Sequence, residues 1–117
     1  MVPLIVPFPP RSEVPPIITA AITWIRTEYG GRVHPPVIGL RPTIRFQRDV
    51  SAWLLGTWSV QIVSLDFDLQ TWTGTAQLVF SPGATPDRTY MKKGELIELL
   101  DAYRVIGVGM ILAVEED

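Results

Sequence analysis

Residues 28–46 read EYGGRVHPPVIGLRPTIRF, and their order decides the fold. Gly30-Gly31-Arg32 puts two glycines directly after an apolar, Thr-rich run, the composition that ends a strand in a turn. Pro35-Pro36 follows and forbids both helix and central strand over a short loop. Gly39-Leu40-Arg41-Pro42 then opens into Thr43–Gln47, where Ile44 and Phe46 alternate with polar neighbours.

Upstream, two periodicities compete over Ile17–Thr27. Ile18, Ala20, Ile22 and Trp24 alternate with Thr19, Ala21, Thr23 and Ile25 as in a strand. Ile17, Ala20, Ala21, Trp24 and Ile25 also fit a helical stripe. The Thr and Ile content, with Pro15-Pro16 before and Gly30-Gly31 after, favours the strand. Residues 1–16 hold six of the eleven prolines and read as an extended, Pro-rich arm that forms neither helix nor central strand. Its apolar side chains (Val2, Leu4, Ile5, Val6, Phe8) suit a strap across its own domain or a dock onto a partner or second copy.

Downstream the chain reads as further β-structure. Thr57–Phe67 and Leu69–Phe80 are strand candidates, with Gly74 as a bulge candidate in the second. Ser81–Asp87 is a loop by composition. Leu96–Leu100, a tight turn at Asp101-Ala102-Tyr103 and Val105–Val114 make a closing hairpin. A helix over Gly94–Val105 is the alternative, because Leu96, Leu99, Leu100 and Tyr103 have helical spacing. Short strands, close turns and few helix caps predict an all-β domain over 17–117: a small six-stranded antiparallel β-barrel.

Gly30-Gly31-Arg32, Pro35-Pro36 and Gly39-Leu40-Arg41-Pro42 together resemble a segment of the third, C-terminal domain of translation elongation factor Tu. Arg104-Val105-Ile106-Gly107-Val108-Gly109-Met110-Ile111 resembles the closing strand of that domain. The resemblance spans about residues 17–114, and is dense at 28–48 and 94–112. It departs at Asp66–Thr75, which lacks the family's Pro-Gly-Asp turn, and at Val33, where the family has histidine. What it implies is a barrel of that type used alone, opening with a strand at Ile17–Thr27. In the family this domain cradles the T stem of aminoacyl-tRNA, packs on the GTPase domain and helps dock the exchange factor. No G-x-x-x-x-G-K-[ST] phosphate loop occurs here, which excludes GTP binding by this chain.

The composition narrows the chemistry further. At 117 residues the chain is one domain, and a 47% hydrophobic content suits a packed core. The absence of cysteine excludes disulfides, thiolate nucleophiles and Cys-ligated metals. The net charge of −2 gives no general attraction to phosphate backbones. No apolar run approaches the ~20 residues of a membrane span, and residues 1–10 lack the basic flank of a signal peptide. The expectation is a cytoplasmic protein that contacts no membrane.

Arg26, Arg32, Arg41, Arg45 and Arg48 supply half of the ten basic residues, whereas nine acids follow from Asp66 onward. This asymmetry makes the five arginines candidates for an acidic protein surface or RNA phosphates. Arg32 and Arg41, each beside a turn, are equally suited to bonding loop carbonyls. Trp53, in Ser51–Gly56, is the candidate interface anchor. The single histidine, His34, sits against a proline without a second His or a Cys, so it suits a loop role and neither a metal site nor a triad. Asp66 and Asp68 share a strand face and suit the rim of a hairpin turn. The expected function is therefore a non-catalytic binding module without cofactor. Its partner would be a protein: a translation factor, or a toxin that this chain counters as an immunity protein. tRNA binding through the arginines and a structural role in a homo-oligomer built through the arm are the alternatives.

Overall fold

A computed structural model describes residues 16–47, 58–81, 85–86, 88–102 and 104–115. The arm up to residue 15, Arg48 and Trp53 lie outside the described residues. Six strands follow one another: β1 (Ile17–Trp24), β2 (Thr43–Phe46), β3 (Trp58–Asp68), β4 (Thr73–Phe80), β5 (Leu96–Asp101) and β6 (Arg104–Glu115). Their spatial order is β1-β4-β3-β2-β5-β6, and β6 returns to β1, so one all-antiparallel sheet closes into a barrel-like ring. No helix among the described residues is long and apolar enough to cross a membrane.

The strand period of two sorts side chains between the inside and the outside of this ring. In β1, Ile18, Ala20, Ile22 and Trp24 are buried, while Thr19, Ala21 and Thr23 lie on the outer face. Ile44 and Phe46, Val60 and Ile62, Leu78 and Phe80, and Ile97 and Leu99 continue the same inner set around the ring. Fully burying each such side chain stabilises the fold by roughly 1.5–3 kcal/mol. The alternation at Ile17–Thr27 therefore follows the strand period, and the helical stripe there is incidental. Phe46 closes one end of the core, stacked on Tyr90 at 5.0 Å and edge-on to Trp58 at 5.9 Å.

The other end is where β1, β3 and β5 finish and β2, β4 and β6 begin. The segment between β1 and β2 folds over it. Ile25 N donates to Ile106 O at 2.9 Å, and a 3₁₀ turn over Thr27–Tyr29 ends at Gly30, whose φ is 91°. Gly39-Leu40-Arg41-Pro42 then runs beside β3: Gly39 N donates to Ile62 O, Ile62 N to Leu40 O and Val60 N to Pro42 O, at 2.8, 2.9 and 3.0 Å. This short ladder delivers the chain into β2.

Three local features differ from the sequence expectation. Leu69–Trp72 is the β3–β4 turn and not part of β4: Trp72 N donates to Asp68 O at 2.7 Å, and Trp72 takes a φ of 58°. Asp68 does edge this turn, its Oδ1 accepting from Gln70 N at 2.8 Å, whereas Asp66 lies within the strand. Gly74 is not a bulge but stays in register with Phe67 and Ile22, and a Cβ there would meet Asp66 O at 1.7 Å. The bulge of this hairpin is on the partner strand, between Ile62 and Ser64. Leu96–Asp101 and Arg104–Glu115 form the expected closing hairpin, β5–β6, and not the alternative helix. A register shift between Leu99 and Leu100 buries both, which explains their helix-like spacing.

Candidate interaction surfaces

The arginines singled out in the sequence do not form one free cationic face. Arg26 donates through Nη2 to Gln70 O and lies over the Trp72 ring, 5.9 Å from its centroid. Arg32 Nη1 donates to Pro35 O at 3.1 Å, so it braces its own loop. Arg104 Nη1 donates to Gly31 O at 3.1 Å and ties that loop to β6. Arg45 stands directly across from Glu98 on β5, with Nε 3.0 Å from Oε1 and both side chains about four-fifths buried. Its charge is compensated within the sheet. Arg41 is exposed on the Gly39–Pro42 extension. Arg26, Arg32 and Arg104 thus bond carbonyls of the turns and Arg45 is ion-paired, which leaves Arg41, among these described arginines, turned to solvent without a bond of this kind.

His34 is exposed in its loop. Among the described residues no group of three or more His, Cys, Asp or Glu side chains could hold a metal ion.

A surface that the sequence does not isolate lies on the outer wall of β4, β1, β6 and β5. Ladder registry places Thr75, Ala21, Met110 and Leu96 side by side in one row. Thr73, Thr23 and Val108 form the next row, which ends at Glu98 and its partner Arg45. Between them runs an open groove of about 600 Å³, and among the described residues no charged side chain lines it. Leu96 and Met110 are 48% and 40% exposed. The outward positions of a solvated strand are ordinarily polar, and here Ala21, Val108, Met110 and Leu96 set apolar side chains among Thr73, Thr75 and Thr23, with Glu98 as the charged end of its row. That signal is present in the sequence, but it becomes visible only once the ladder order sets β4, β1, β6 and β5 beside one another.

Further apolar side chains are exposed in the β1–β2 segment and on β3, which meet at the Gly39–Ile62 hydrogen bond. Val33, Val37 and Ile38 in the β1–β2 segment are exposed, and so is Val63 at the β3 bulge. Compared with known proteins, the chain matches no protein-family model and no curated protein.

Proposed function

We propose that this chain is a non-catalytic protein-binding module, a β-barrel of the elongation factor Tu C-terminal type. Its docking face is the uncharged wall of β4, β1, β6 and β5. The wall carries this reading, since a contiguous face of small and apolar side chains with charge only at its margin suits the centre of a protein interface. Nucleic acid is disfavoured by the same geometry. Phosphate binding draws on several uncompensated cations, and Arg45 is neutralised by Glu98 while Arg26 and Arg32 are held at carbonyls. The resemblance to the elongation factor points to the translation machinery, or to a toxin acting on it, as the source of the partner.

The test is a tagged pull-down from the native host at moderate salt, with protein and RNA both read in the eluate. A stoichiometric protein is expected. Met110→Arg and Thr75→Arg, both outward-facing, should release it without lowering the melting temperature, and Arg41→Ala should retain it. Enriched tRNA, lost steeply as salt rises and lost in Arg41→Ala, would overturn the proposal in favour of RNA.

A further inference from the structure

The ring has one seam where two neighbouring strands part company. β3 is flanked by β4 along its length, but β2 and the Gly39–Pro42 extension accompany it only as far as Ile62. From Val63 to Asp68, nothing among the described residues pairs with the other side of β3. The bulge sets which backbone groups face that open side. Before it, Val60 N and Ile62 N donate away from β4, and Ser59 O accepts from Ser81 N on the β4 side. After it, Asp68 O accepts from Trp72 N on the β4 side. The parity has flipped, so the N–H and C=O groups of Leu65 and Phe67 point out of the sheet edge.

Natural sheets cover, shorten or charge such edges. This one is charged. Asp66 and Asp68 sit on its outer face beside the uncharged Thr75 and Thr73, and among the described residues neither is in an ion pair. Two copies meeting edge to edge would set these carboxylates against each other, so the edge excludes its own copy. The exposed side chains of Val37, Ile38 and Val63 adjoin the point where the extension leaves β3 at Ile62.

We infer that the Val63–Asp68 edge is a strand-acceptor site for an extended peptide with basic side chains on its outer face and apolar ones on its inner face. The peptide would add beside β3, exchange backbone hydrogen bonds with Leu65 and Phe67, set its cations across from Asp66 and Asp68, and cover Val37, Ile38 and Val63. The site borders the uncharged wall at the Asp66–Thr75 and Asp68–Thr73 pairs, but its free backbone groups face the other side of β3, and it does not depend on the function proposed for the wall.

The probe is a short synthetic peptide alternating Lys and Val, compared with its Glu-Val counterpart and with a Lys-Val peptide N-methylated on its hydrogen-bonding edge. Binding to the whole chain is followed by anisotropy, and amide exchange at Leu65 and Phe67 by NMR. The Lys-Val peptide should bind and slow exchange at these two amides. N-methylation should weaken it about tenfold or more, since the peptide loses the backbone donors that bond Leu65 and Phe67. Asp66→Lys with Asp68→Lys should reverse the preference to the Glu-Val peptide, a readout that does not depend on altering the peptide backbone. Equal binding of all three peptides would overturn the inference. So would slow exchange at Leu65 and Phe67 in the free protein, because the edge would then already be covered by the chain itself or by a second copy.

Discussion

The two adjacent glycines of the Gly30-Gly31-Arg32 turn are required for different reasons, and alanine at each should separate them. Gly30 holds a φ of 91°, with nothing within 4 Å of where a Cβ would stand. Alanine there meets only the left-handed backbone penalty of about 1–2 kcal/mol, reduced by roughly 0.4–1 kcal/mol because the unfolded chain loses freedom. The expected net loss is about 1 kcal/mol, and less for Gly30→Asn. At Gly31 a Cβ would lie 1.9 Å from Ile25 O, so the two segments would have to part by about 1.5 Å to reach ordinary contact. Neither can retreat freely. Ile25 N is bonded to Ile106 O, Gly31 N donates to Arg26 O at 3.0 Å and Gly31 O accepts from Arg104. Two strained or broken hydrogen bonds plus local repacking give a loss of about 3 kcal/mol or more. Urea unfolding measures both, and with a slope near ~2 kcal/mol/M the midpoint should fall by about 0.5 M for Gly30→Ala and about 1.5 M for Gly31→Ala. A Gly31→Ala protein as stable as Gly30→Ala would refute the close-approach argument.

Other substitutions probe the core and the wall. Phe46→Ala removes a side chain that is 1% exposed and touches both Trp58 and Tyr90, so thermal melts should report a loss of about 3–5 kcal/mol. A double-mutant cycle on Arg45→Ala and Glu98→Ala should give a coupling of about 0.5–1.5 kcal/mol, because the pair is mostly buried and hydrogen-bonded. Coupling that is absent at low salt would show that the cross-strand pair does not form. Trp24 buries its indole N–H without a hydrogen-bond partner among the described residues. Trp24→Phe should therefore stay within about 1 kcal/mol of the parent in urea unfolding, as relief of the unpaired donor offsets lost packing.

Much of the ring was legible because most inner positions obey simple alternation: Ile18, Ala20, Ile22 and Trp24 declare the inner face of β1 by their spacing alone. What escaped lies where the alternation slips. The bulge after Ile62 is hidden in Val63-Ser64-Leu65, an apolar run that gives no sign of its change of face. The β3–β4 turn was missed because Leu69-Gln70-Thr71-Trp72 contains neither glycine nor proline, and its left-handed residue is a tryptophan. For the arginines the limit was partnership. Glu98 stands 53 positions from Arg45, and only the pairing of β2 with β5 brings them together. Arg32, in contrast, bonds a carbonyl within its own loop, as its place beside a turn allowed.

Ring closure also governs when this protein can fold. Among the described strands β1 is made first, yet it lies between β4 and β6, with Ile17 opposite both Val79 and Glu115. Its second ladder waits for β6 to emerge from the ribosome. Until then β1 and β5 each present an open side, so a nascent chain halted before Arg104 exposes these two edges in addition to the open side of β3. Such non-local pairing belongs to the slow class of folders, on a scale of milliseconds to seconds. Chaperone engagement should accordingly fall on the interval between synthesis of β5 and release of β6, when the sheet is nearly complete but not yet sealed.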